Sequence, residues 1–140
     1  YRKNALENNE LIFKILLPKK RKNDTLYSWK LSKRYDQDIS TLSLAAKVTK
    51  NKKDSLENII LSAGGVGPTP LILHQTGKLL RNTNLSFNQR ALQTAINHDI
   101  SPISDLRGTA RYRSTAMVGL IKKMQRSLIS GEEQHSIMSI

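Results

Sequence analysis

Apolar and polar residues alternate through the first half of the chain, and the period changes near residue 65. The stretch LYSWKLSKR (26–34) sets Leu26, Ser28 and Lys30 against Tyr27, Trp29 and Leu31, the period of two expected of a half-exposed strand. ISTLSLAAKVT (39–49) puts Leu42, Leu44, Ala46 and Val48 on one face and reads the same way. ELIFKILLP (10–18) is a short β-rich apolar run closed by proline, and SLENIILSAGG (55–65) ends at a double glycine. Both are expected to be strands. The intervening turns are short and basic, which suits antiparallel neighbours.

Beyond Gly65 the spacing becomes helical. In GPTP, Thr69 is a candidate N-cap with Pro70 at the first helical position, predicting a helix to about Leu80. Ser86 with Gln89 three residues later makes a capping-box pattern for a helix over 87–98. A third helix is expected from about Asp105–Gly108 to about Ile129, capped by Ser104 or Asp105. Met117, Leu120, Ile121, Met124 and Leu128 form its apolar face. Gly131 should stop it and leave residues 131–140 as a frayed tail. Strands followed by helices, without βαβ alternation, predict an α+β fold over 1–130: an antiparallel sheet of three to four strands followed by about three helices packed on one face.

Composition narrows the function classes. A chain of 140 residues, 38% hydrophobic and 24% charged, suits one compact soluble domain rather than a disordered one. No apolar run approaches the ~20 residues of a membrane span, so no membrane partner is expected. The absence of cysteine excludes disulfides, iron–sulfur ligation and thiol catalysis within this chain and is compatible with a cytoplasmic location. His74, His98 and His135 are scattered, without the spacing of a metal site. The chain opens on Tyr1 and lacks signal-peptide flanks around Leu11–Leu17, which leads one to expect a processed chain or a fragment.

The net charge of +12 is uneven: residues 1–53 hold 14 Lys/Arg against 5 Asp/Glu, and residues 54–140 hold 9 against 6. The clusters PKKRKND (18–24) and TKNKKD (49–54) read as solvated loop tips, or as basic patches that steer an anion. A small nucleic-acid-binding domain is one alternative that such charge raises. That class interleaves exposed aromatics with its cations, whereas Phe13, Trp29 and Phe87 sit in apolar patterns suited to a core. Nucleic acid is therefore the disfavoured partner.

No Ser–His–Asp order with a nucleophile elbow, no HExxH and no phosphate-binding GxxxxGK[ST] occurs, and no residue is assigned a catalytic role. The glycines of SAGGVGPTP lack the GxGxxG spacing; they read as a tight strand-to-helix turn where glycine permits positive φ, or as a phosphate site at a helix start. KLSKRYDQDIS (30–40) packs Lys30, Lys33 and Arg34 before Asp36 and Asp38. It is either a self-paired solvated loop or a charged loop beside an anionic ligand. In SDLRGTARYR, arginines at a helix start oppose the macrodipole. Arg107 and Arg113 are therefore expected to anchor to carboxylates or carbonyls, Asp105 to cap or pair, and Tyr112 to pack on the sheet.

Taken together, YRKNALENNELIFKILLP, WKLSKRYDQDIS, AGGVGPTP and SPISDLRGTARYR resemble, in order and spacing, the FAD-binding subunit of xanthine dehydrogenases. More broadly, the chain is similar to the C-terminal domain of the flavoprotein subunit of molybdenum hydroxylases, a group that includes carbon monoxide dehydrogenase. The resemblance covers about residues 1–129. It implies a role in electron transfer: a molybdopterin centre oxidises a purine or similar substrate, iron–sulfur clusters relay electrons to FAD, and NAD accepts them. The implied partners are the N-terminal FAD-binding region, the iron–sulfur domain and the molybdopterin subunit.

By the same resemblance, Ile12 and Lys30 match flavin contacts, the first through backbone atoms and the second at the ring's polar edge. Arg34 and Asp38 match a flavin-proximal loop, and Gly64 and Gly65 match a structural glycine turn. The helix after GPTP departs from relatives, reading LILHQTGKLL, with Gly77 weakening it by ~1 kcal/mol. The diphosphate-binding loops, cluster cysteines and molybdopterin region are missing, so this chain alone is expected to bind FAD weakly or not at all, without turnover. A third possibility is a structural or docking remnant that kept the fold and lost the redox role.

Overall fold

The computed structural model describes residues 4–35, 38–53, 55–131 and 135–139. Three nine-residue strands dominate: β1 (Asp24–Ser32), β2 (Leu42–Lys50) and β3 (Leu56–Gly64). They form an antiparallel meander in which Trp29 lies opposite Leu44, and Leu44 opposite Ala63. The two-residue β4 (Leu71–Ile72) pairs antiparallel with the end of β3. The backbone of β5 (His135–Ser139), where a frayed tail is expected from sequence, runs parallel to β1 and gives the order β4-β3-β2-β1-β5. Three helices, α1 (His74–Asn82), α2 (Gln89–Asp99) and α3 (Ala110–Ser130), follow the four antiparallel strands.

Strand alternation places the core. Tyr27, Trp29 and Leu31 of β1, Leu42, Leu44, Ala46 and Val48 of β2, and Ile59, Leu61 and Ala63 of β3 are all buried. They join one cluster with Leu80 of α1, Leu92 and Ile96 of α2, and Met117, Ile121 and Met124 of α3. The intervening residues Leu26, Ser28, Ala45 and Ile60 are exposed, so the sheet keeps one covered face and one open face.

Several expectations are corrected. ELIFKILLP forms no strand. Leu11, Ile12, Phe13, Ile15, Leu16 and Leu17 are 68–86% exposed, so Phe13 is not a core residue. A strand needs a ladder as well as a propensity, and β1 already has β2 on one side and β5 on the other. Thr69 does not cap α1: the chain after Pro70 stays extended to pair with β3, and the helix starts at His74. Its first amides are held from a distance, because the Asp99 carboxylate accepts from the N–H groups of Gln75 (2.9 Å) and Thr76 (2.7 Å).

The capping-box serine likewise gives way to Asn88, whose side chain accepts from the Ala91 N–H at 2.7 Å. In α3 the cap is Thr109, bonded to the Tyr112 N–H at 3.0 Å. Ser104 accepts from the Ala110 N–H at 2.9 Å. Gly131, with φ +76, ends α3 in a left-handed cap.

Gly77 is buried on α1, and a Cβ built there would stand 3.5 Å from the Ile59 carbonyl oxygen, an ordinary van der Waals distance. Gly77→Ala is therefore expected to raise stability by about 0.5–1 kcal/mol, the helix-propensity gain. A thermal melt would show this as a higher Tm, and a lowered Tm would mean that the helix must sit closer to β3 than a methyl allows.

Candidate functional site

The open face of the sheet carries a shallow groove of about 720 Å³. Its floor comes from alternate positions of three strands: Ser28 and Lys30 of β1, Ser43 and Ala45 of β2, and Ser62 and Gly64 of β3. The register aligns Lys30 with Ser43 and Ser43 with Gly64, so the lysine and the glycine flank one serine across the sheet. A Cβ on Gly64 would come within 2.6 Å of Ser43 Oγ, so glycine keeps the floor flat there. Tyr35, Ser40 and Pro70 border the groove. The floor thus combines small side chains with one half-buried cation, Lys30, whose ammonium has no ion pair among the described residues.

The connection from β1 to β2 carries the other charged candidates. Asp38 Oδ2 accepts from the Arg34 backbone N–H at 3.0 Å, and that bond holds its carboxyl below the ordinary carboxylate value, against an opposing effect of burial. Ser32 Oγ donates to the Arg34 carbonyl at 2.6 Å. Arg34 and Tyr35 are exposed. Asp36, the other acid of this segment, lies outside the described residues.

Behind this rim lies a second cluster, built from the two motifs SAGGVGPTP and SDLRGTARYR. Arg113 is only 4% exposed. Its Nη1 donates to the Gly65 carbonyl at 2.6 Å and its Nη2 to Asp105 Oδ1 at 2.5 Å. Asp105 Oδ1 also accepts from the backbone N–H groups of Arg107 (2.8 Å) and Gly108 (3.2 Å), closing a turn that pairs Asp105 with Gly108. The Arg107 N–H is the leading cause that holds the Asp105 carboxyl below its usual range; burial opposes it, and the Arg113 side chain adds to the lowering.

The turn in its own right grips the β1–β2 connection at both ends. Lys33 Nζ donates to the Leu106 carbonyl at 2.5 Å, and Thr41 Oγ1 donates to the Arg107 carbonyl at 3.0 Å. Arg107, exposed, reaches Asp105 Oδ2 at 3.6 Å, and Tyr112 is half-buried beside Gly108. Asp105 therefore organises a turn and an ion pair rather than capping the helix.

The geometry brings Lys30, Gly64, Tyr35 and Ser40 to one groove, whose lining does not include Arg34 or Asp38, and Gly65, Asp105, Arg107 and Arg113 to one cluster behind it. Ile12 does not line the groove and is exposed in the segment before β1. Sequence reading missed the serine floor, although the alternation that buries Trp29 and Leu44 assigns Ser28, Ser43 and Ser62 to the other face. It also missed Thr41 and Asp99, whose roles depend on partners far along the chain. Among the described residues no group of three metal-ligating side chains occurs, and no helix is long and apolar enough to cross a membrane.

Residues 27–128 match the model of the CO dehydrogenase flavoprotein C-terminal domain. The chain belongs to this family. It is the C-terminal domain of an FAD subunit of the molybdenum hydroxylase group. A nicotinate hydroxylase of Emericella nidulans is 28% identical over 128 residues, covering 86% of this chain and 9% of that protein. A xanthine dehydrogenase of Blastobotrys adeninivorans is 28% identical over 136 residues, covering 92% of this chain and 10% of that protein. A solved carbon monoxide dehydrogenase from Hydrogenophaga pseudoflava shares the fold, with a TM-score of 0.66 at 20% identity over 81% of this chain and 39% of that one. The chain thus spans about a tenth of the curated relatives it matches. The family match begins at Tyr27, so the exposed run Leu11–Leu17 lies before the matched domain.

Proposed function

We propose that this domain presents the Lys30 groove to the flavin of a molybdenum-hydroxylase-type oxidoreductase, with iron–sulfur and molybdopterin portions as electron donors and NAD as acceptor. The observation that carries the reading is the groove itself: a flat floor of serines, alanine and glycine beside one lysine, Lys30, that has no ion pair among the described residues, on the sheet face that the helices leave open. Small side chains admit a planar ring, and a lysine at its edge supplies the positive potential that favours a reduced, negatively charged ring. When bound, the flavin supplies the electron exchange; this chain's residues supply shape and charge.

In this reading Ile12 contributes backbone atoms near the ring from the segment before the family domain. Arg34 and Asp38 stand at the approach to the ring and influence the access of NAD. Alone, the chain binds FAD weakly and does not turn over. Purine oxidation is the substrate class suggested by KRYDQDIS and SPISDLRG, while the choice of substrate belongs to the molybdenum portion. Two of the three arginines of SPISDLRGTARYR do not favour a nucleic-acid face, since Arg113 is buried and Arg107 is paired, which leaves the exposed Arg111 as a single cation.

Lys30→Met in the flavin subunit that carries this domain tests the reading. Loss of the cation should make the flavin midpoint potential more negative by about 30 mV, equivalent to ~1.4 kcal/mol for a two-electron couple, with Lys30→Arg retaining most of the native value. An unchanged potential with flavin fully bound would sink the assignment.

A further inference from the structure

We propose that Arg113 is a positioning residue of the Lys30 groove, fixing the groove's rim through the Asp105 turn and the Gly65 carbonyl; this rests on the flavin-facing reading of the groove. Tyr35 and Ser40 border the groove from the β1–β2 connection, and Gly64 forms the β3 end of its floor. Rim and floor are tied to the same guanidinium. Gly65, next to Gly64, gives its carbonyl to Nη1, and Asp105 takes Nη2. The turn that Asp105 closes then holds Lys33 and Thr41, one at each end of the connection.

Thr41 is held twice more. Its N–H donates to the Leu31 carbonyl at 2.8 Å, and its own carbonyl lies so close to Gly65 that a Cβ there would be 2.5 Å away. One buried fork and the turn it anchors therefore tie the rim of the groove to the β3 end of its floor, beside the β2–β3 ladder. Guanidinium geometry suits this task, because two of its nitrogens reach two acceptors in fixed directions. A lysine ammonium in the same space could meet one of them. The fork is kept even though the buried Arg113 Nε has no acceptor among the described residues, which is what a requirement on the positions of Gly65 and Asp105 would impose.

The test compares Arg113→Lys, Arg113→Met and the milder Asp105→Asn with Lys30→Met, all in the flavin subunit that carries this domain. The absorption spectrum and midpoint potential of the bound flavin are recorded with amide exchange at Thr41. If Arg113 positions the rim, Arg113→Met and Asp105→Asn should speed exchange at Thr41 about tenfold relative to amides of the β2 core. They should also displace the flavin band and potential in the same sense as Lys30→Met, and Arg113→Lys should restore Tm more fully than it restores the spectrum.

A fall in Tm with an unchanged spectrum and potential would overturn the proposal and leave Arg113 as a fold anchor only. If Lys30→Met alone shifts the flavin, the groove reading survives and the positioning role falls. If neither Lys30→Met nor Arg113→Met moves the flavin, the groove reading itself has failed.

Discussion

Gly65→Ala is expected to destabilise the domain by roughly 3 kcal/mol, combining the left-handed backbone penalty with overpacking. Gly65 sits at φ +77, and its missing side chain leaves room for the Thr41 backbone, whose carbonyl oxygen would be 2.5 Å from a Cβ. Neither partner can yield cheaply. Thr41 is fixed by its bonds to Leu31 and Arg107, and the Gly65 carbonyl is fixed by Arg113. Gly131→Ala is the matched control: φ is +76, but among the described residues beyond its chain neighbours no atom lies within 4 Å of the built Cβ. It should show the backbone penalty alone, ~1 kcal/mol. Urea unfolding at constant m-value separates the two, and equal costs would mean that the β1–β2 connection moves away without resistance.

The same contact explains which parts of the fold were legible in the sequence. Strands β1, β2 and β3 were readable because Tyr27/Trp29, Leu42/Leu44 and Leu61/Ala63 alternate against a single buried face, and alternation is local information. The third helix was readable for the same reason, through Met117, Ile121 and Met124. ELIFKILLP looked like a strand on equally good local grounds, yet it pairs with no strand among the described residues. The start of α1 was misplaced because its cap, Asp99, comes from the C-terminal end of α2, 23–24 residues further along.

The groove shows an intermediate case. Alternation fixes which side chains share the open face, but which rows lie beside one another depends on register: Lys30 reaches Gly64 only through Ser43. Local pattern cannot supply that register. The arginine-rich motif was legible in kind, since helix-start arginines need acceptors, but the acceptor Gly65 lies 48 residues away.

Arg113→Met should cost about 1–3 kcal/mol at neutral pH from the Gly65 carbonyl left without its donor, and it also takes the cation away from the exposed Asp105 carboxylate. The effect has a pH signature. Asp105 is held below its ordinary value of 3.8, first by the Arg107 N–H and then, against burial, by Arg113. A carboxylate whose folded value is lowered stabilises the fold above its unfolded value, and that contribution disappears as the pH falls through the folded value. Native stability should therefore decline below about pH 4, with proton uptake on unfolding. Removing Arg113 moves the Asp105 carboxyl back toward its ordinary range, so the variant has less to lose in acid and its curve is flatter there. Asp24 and Asp38 are also lowered, the first chiefly by the Thr49 hydroxyl and the second by the Arg34 N–H, so a residual acid limb persists in both proteins. The difference in stability between native and Arg113→Met proteins must then shrink as the pH drops from 7 toward 3. A difference that stays constant over that range would show that Arg113 stabilises through Gly65 and its packing alone, with no contribution from the Asp105 charge.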